Sequence, residues 1–189
     1  MTRTSQATIV AAVIRATTDL LEGDGMSSVT MRAVAARAGV APMSVYNHFG
    51  DKQGLLSAVA EEHFAILARD LAGLTDADPR RRLREAGMVV HDLMTAYPRS
   101  YDLMWVTPPG PGMLEAFTQL VHLVQYGQAA GVFIASDPHD LASAIWASIH
   151  GAIHMQTAGN GRDAAPSARV SRADYATVLD IVERGITAW

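Results

Sequence analysis

The sequence predicts an all-α protein, and three observations carry that prediction. Apolar residues recur at spacings of three and four along most of the chain, the period of an amphipathic helix. Period-2 alternation, which marks strands, is rare. The stretches that break the helical pattern hold Gly, Pro and Asp, the residues that stop and start helices. The expected architecture is about nine helices in two domains: a three-helix head over residues 1–54 and a larger helical body over residues 55–189.

Each element has its own signals. The first helix spans about Ala7 to Glu22, with Val10, Val13, Thr17, Leu20 and Leu21 on its apolar face, and Gly23 and Gly25 end it. Thr30 is placed to cap a second helix, "MRAVAARA", which Gly39 terminates. Pro42 opens a short third helix that ends at Phe49–Gly50. Asp51 caps a long fourth helix, from about Lys52 to Leu74. Asp78 and Pro79 start a fifth, which Pro98 stops, and "SYDLMW" is a short sixth. "TPPGPG" is a stiff loop before a seventh helix, Met113 to Ala130, with Gly127 as a weak point. Asp137 and Pro138 open the eighth, to about Thr157. "AGNGRDAAPSARVS" reads as a loop, and Asp174 as the cap of the last helix.

Composition narrows the function. Of 189 residues 49% are hydrophobic, enough for a sizeable core. No apolar run approaches the roughly 18 residues of a membrane span. The start, "MTRTSQATIV", lacks the pattern of a secretory signal, and a cytoplasmic protein is expected. With no Cys there is no disulfide framework and no thiolate chemistry. The net charge of −4 argues against a broadly basic nucleic-acid coat. It is unevenly spread. Arg3, Arg15, Arg32, Arg37 and Lys52 offset Asp19, Glu22, Asp24 and Asp51 in the head, which leaves the body acidic. No GxSxG, phosphate-binding Gly loop or convincing carboxylate pair is present, so no enzyme activity and no cofactor are expected.

The head carries the sharpest pattern. Two helices of about eight residues around a Gly39 turn make a helix-turn-helix. Val34, Ala38, Val40, Val45 and Phe49 form the inner side, with Ala35 small enough for close crossing. Pro42, Met43, Ser44, Tyr46, Asn47 and His48 are then left outward or half outward. A short helix bearing hydrogen-bonding and aromatic groups suits a DNA major groove, roughly 12 Å wide. Tyr46 and His48 can donate to phosphates, and Lys52 adds a charge at the next helix N-terminus, which itself favours anions.

"VIRATTDLLEGDG", "VTMRAVAARAGVAPMSVYNHF" and "GDKQGLL" together resemble the DNA-binding domain of TetR-family transcriptional regulators. Ala38, Gly39, Val40, Tyr46, His48, Phe49, Lys52, Leu55 and Leu56 fall at the family's places. The resemblance implies that Thr30, Tyr46, His48 and Lys52 hold phosphates, and that Arg32, Met43 and Asn47, with Pro42, face bases. Three positions depart from the pattern: Ala41 replaces a capping Ser, Ala33 an acidic residue, and Leu21 an aromatic. In the body, "YPRSYDLMW" and "IWASIHGAIH" resemble the Trp-x-x-x-His-Gly type of TetR C-terminal domain through Trp146, His150 and Gly151. That implies a homodimer with an effector pocket, and a repressor that a small apolar effector releases from a palindromic duplex operator.

The residues of the body allow the same reading. The pocket candidates are Met88, His91, Met94, Met104, Trp105, Met113, Phe117, Trp146 and His150, since Met adapts to apolar ligands. Ordinary core packing accounts for the same spacing. Leu141, Ile145, Ser148, Ala152 and Met155 make one stripe, and Val178, Leu179, Val182 and Ile186 another. Two such helices from each of two chains would build a four-helix interface, and burial within one chain is the alternative. Two other functions stay open. One is a metal-responsive regulator using His150 and His154, four apart on one helix, with His91 or His122 completing the site. The other is a helical small-molecule carrier that does not bind DNA.

Overall fold

The computed structural model describes residues 6–158 and 172–188. Nine helices occur among the described residues: α1 (Gln6–Asp24), α2 (Met31–Ala38), α3 (Pro42–Phe49), α4 (Lys52–Ala72), α5 (Pro79–Ala96), α6 (Pro98–Val106), α7 (Pro111–Ala129), α8 (Pro138–Ala158) and α9 (Arg172–Ile186). There is no strand among them, only an isolated bridge between Phe133 and Thr187. The "AGNGRDAAPSARVS" segment lies outside the described residues from position 159 on. No helix among the described residues is long and apolar enough to cross a membrane.

The chain divides into two compact units, Met1–Phe64 with Tyr97–Gly112, and Ala65–Ala96 with Met113–Trp189. The first contains the head, the start of α4 and all of α6. Its core is built by Val13, Ala16 and Leu21 of α1, Val34 and Ala35 of α2, Val45 of α3, and Leu55, Leu56 and Val59 of α4. One reciprocal contact ties α6 to α1. The Glu22 carboxylate accepts from the Ser100 backbone N–H (2.7 Å), the Ser100 hydroxyl (2.8 Å) and the Arg99 N–H (3.3 Å), all in the first turn of α6. In return the Arg99 guanidinium donates to the carbonyls of Leu21 (3.1 Å) and Glu22 at the end of α1. Each helix thereby satisfies terminal groups of the other, and the Leu21 carbonyl also accepts from the Gly25 N–H at 3.0 Å.

The second unit packs α5 against α8 and α9, and α8 against α9. Leu83, Ala86, Val90 and Met94 of α5, Ile145, Ile149 and Ile153 of α8, and Tyr175 and Leu179 of α9 are all buried. Tyr175 donates its hydroxyl to the Gly87 carbonyl at 2.7 Å. Arg84 reaches from α5 to Asp180 and, at 2.9 Å, to Glu183. Gly127 is no weak point: α7 runs through it, and a Cβ there would stand 2.0 Å from the Phe133 ring, so Gly is what admits that ring. Asp137 caps α8 as expected, accepting from the His139 N–H at 2.8 Å. Asp174 does not cap α9, which starts at Arg172; it lies in the first turn, where its charge still opposes the helix dipole.

The two expected stripes are mainly core. Ile145 and Ala152 on α8 and Leu179 and Ile186 on α9 are buried. At about 100° per residue, Ser148 and Met155 lie well to one side of Ile145, away from Ala142, Ile149 and Ile153. They are exposed, together with Ser143, Ala144, Ala147 and Gly151. On α9 the exposed positions include Thr177, Ile181 and Gly185.

Candidate nucleic-acid interface

The head is assembled from local signals. Thr30 has extended backbone, and its hydroxyl oxygen accepts from the Ala33 N–H at 3.1 Å, so it caps α2. Gly39 ends α2 in the left-handed conformation, φ 68°, with Val40 N–H returning to the Ala35 carbonyl at 3.0 Å. Pro42 is at the start of α3, and Ala41 before it makes no side-chain cap. Asp51 accepts from the Gly54 N–H at 2.8 Å and caps α4. These caps set the angle and length of an eight-residue helix whose inner anchor is the fully buried Val45.

The opposite side of α3 is open. Met43 is 68% exposed and Tyr46 is 46% exposed. Pro42 and Asn47 are exposed too, while Ser44 and His48 are half-buried. Pro42, Met43, Tyr46 and Asn47 follow helical spacing and form one continuous row. Thr30 and Arg32 are exposed at the start of α2. Phe49 is half-buried, and its ring meets that of His48 edge-on at 6.3 Å. The Lys52 ammonium donates to the Met26 carbonyl at 2.9 Å, on the turn before α2. An ammonium has three donors, so this bond positions the charge and leaves two protons for a phosphate.

Residues 13–59, which hold this whole arrangement, match the model for "bacterial regulatory proteins, tetR family". The head is a TetR-family helix-turn-helix domain. The class C tetracycline repressor protein of Escherichia coli is 34% identical over 121 residues, covering 64% of this chain and 55% of that one. The chain therefore spans little more than half the length of the curated relatives it first matches. A protein of unknown function from Rhodococcus sp. RHA1 has the same fold, with TM-score 0.77 and 25% identity over 95% of this chain and 96% of that one. A TetR protein of Acinetobacter baumannii AYE, solved in complex with minocycline, has TM-score 0.70 at 22% identity, covering 97% of this chain and 96% of that one.

Outside the TetR-type head, the nine pocket candidates are divided between the two units. Met104 and Trp105 belong to the first unit; Met104 is buried and Trp105 exposed. In the second unit, Phe117, Trp146 and His150 form a row of rings, with centroids 6.1 Å and then 4.2 Å apart. Burial lowers the His150 imidazole to about 4, so it is neutral at pH 7. His91 is buried, lies 4.6 Å from the Tyr175 ring and bonds to Asp92 and Gln156. Met94 is buried and Met113 half-buried. The gap around Trp146, between α5, α7, α8 and α9, measures about 10 Å³, at the lower limit for one water. Met88 lines a separate open groove of about 700 Å³. Among the described residues no three His, Asp or Glu come together as metal ligands, so the His150–His154 alternative gains no support.

Proposed function

We propose that the protein is a DNA-binding transcriptional regulator: a homodimeric repressor that leaves a roughly palindromic operator when its body binds a small organic effector. The observation that carries this reading is the open row Pro42–Met43–Tyr46–Asn47 on a short helix anchored by Val45, within a TetR-type head. Arg32, Met43 and Asn47, with Pro42, face base edges. Thr30, Tyr46, His48 and Lys52 hold phosphates on either side. One such helix contacts too few base pairs for specificity. A two-fold dimer presents a second copy about 34–36 Å away, one helical turn along the duplex. The exposed small residues of α8, with Thr177, Ile181 and Gly185 of α9, suit close helix packing between two chains. The similarity to the tetracycline repressor of Escherichia coli supports an effector-released repressor.

The test is selection of bound duplexes from a random pool by the purified protein, followed by footprinting. The expected result is a two-fold symmetric site, with affinity falling steeply as salt rises because phosphate contacts release counterions. Recovery of no enriched duplex, or of a site without symmetry, contradicts the reading.

A further inference from the structure

The large groove on the second unit has a chemistry of its own. It runs along one face of α5 and past the end of α4, and its volume of about 700 Å³ falls within the range that holds drug-sized ligands. Leu74, Met88, Val89 and Leu93 line it, and all four are half-buried, so apolar surface meets solvent there. Three carboxylates, Asp70, Glu85 and Asp92, stand at the same groove and are exposed.

Two guanidinium groups also border the groove, but both are engaged. Arg81 lies 3.5 Å from Asp76 and 3.5 Å from Asp78. Arg84 bonds to Asp180 and, at 2.9 Å, to Glu183. Each therefore faces two carboxylates outside the groove lining. Of the rim carboxylates, Asp70 is 3.3 Å from Arg69, a pair open to solvent, and Asp92 accepts from His91 at 3.0 Å. Glu85 has no ion pair among the described residues. The groove thus combines an apolar floor with an acidic rim, on which Glu85 has no cationic partner among the described residues, and such a rim favours a cation over an anion.

The geometry points to this groove as a binding site for an organic cation with an apolar body, whose occupancy controls DNA binding. The assignment rests on the regulator reading above for its consequence, but not for the site itself. The apolar body covers Met88, Val89 and Leu93, and the positive centre sits among Asp70, Glu85 and Asp92. Because the carboxylates are exposed, attraction is modest for each and falls with salt.

Tetraphenylphosphonium and tetraphenylborate test this directly, being apolar ions of the same shape and opposite charge. Equilibrium dialysis on the full chain at low salt is expected to show saturable binding of the phosphonium and at least tenfold weaker binding of the borate. The double substitution Asp70→Asn with Glu85→Gln is expected to weaken phosphonium binding about tenfold. Met88→Trp, which fills the floor, is expected to weaken both ions. Glu115→Gln, on α7 outside the groove, serves as a control that leaves binding unchanged, and circular dichroism confirms that each variant is folded. With ¹³C-methyl methionine, the Met88 resonance should shift on binding and that of Met155 should stay. Equal binding of the two ions, or an unaltered affinity in the double variant, overturns the site. Operator affinity is measured on the same samples with and without phosphonium. Release supports the regulatory role, and saturable groove binding with unchanged operator affinity overturns it. Loss of the site with operator binding intact leaves the regulator reading standing.

Discussion

The outward sides of α3 and α8 are both exposed, and they are built from opposite kinds of residue. On α3 the open positions carry large or hydrogen-bonding side chains: Met43, Tyr46 and Asn47. Along the middle of α8 they carry Ser143, Ala144, Ala147, Ser148 and Gly151, with larger groups only toward the ends: His139 and Asp140 at the start, and His154 and Met155, the latter 60% exposed, at the far end. Long projecting groups reach base edges and phosphates across a groove. Small ones let another helix approach closely. Exposure alone therefore says little about a partner; the size and chemistry of the exposed row say which kind of surface it can meet.

The sharpest way to break this contrast is to place one charge on each side of the body's last two helices. Ile145 is buried in the core and Ile181 is 64% exposed. Ile145→Asp is expected to lose more than about 4 kcal/mol, since it buries an unpaired carboxylate. Ile181→Asp is expected to shift fold stability by less than about 0.5 kcal/mol yet release monomers. Urea unfolding and sedimentation, each at several concentrations, measure the two effects. A folded dimer that persists in Ile181→Asp argues against this interface.

The next effect concerns the body's buried imidazole. Burial holds His150 near 4 in the folded chain, against an ordinary 6.5 when unfolded. Between those values the unfolded chain takes up a proton that the folded one refuses. Stability from this group is therefore complete above pH 6.5 and falls as pH drops toward 4, by roughly 3 kcal/mol, then levels off. Unfolding midpoints of the native chain and of His150→Leu should converge as pH falls through this window. Parallel curves contradict the assignment.

Smaller effects sharpen the head. Removing the α2 cap by Thr30→Ala should cost about 1 kcal/mol, and adding one before α3 by Ala41→Ser should gain about 0.5–1 kcal/mol. Both are read from denaturation midpoints of the full chain. Equal and negligible shifts at the two positions contradict the capping geometry.

The sequence resolves the head better than the body for a physical reason. Thr30, Gly39, Pro42 and Asp51 act within a few residues of themselves, so spacing alone reveals them and the outward row on α3 with them. The nine helices were legible as elements, although Asp174, read as the cap of α9, lies inside its first turn. Contacts between distant segments were not. Glu22 reads as an ordinary residue near a helix end until the fold brings Ser100, 78 positions away, to its carboxylate. Lys52 reads as a free charge until it meets Met26. Gly127 looks like a helix breaker until Phe133 packs on it. Met, Trp and His at helical spacing mark apolar faces without saying which of them border empty space, and Met88 alone of the nine candidates lines the large groove.

The central claim is that the outward row of α3 holds DNA, and one titration tests it most directly. Fluorescence anisotropy follows binding of the selected duplex and of an unrelated duplex at about 0.15 M salt, near physiological strength. The native chain, Asn47→Ala, Tyr46→Ala and Met155→Ala are compared. Asn47→Ala should lose about 1–3 kcal/mol on the selected duplex and little on the unrelated one, whereas Tyr46→Ala should weaken both alike. Met155→Ala, in the body, should change neither. Native affinity for the selected duplex in both Asn47→Ala and Tyr46→Ala would contradict the account.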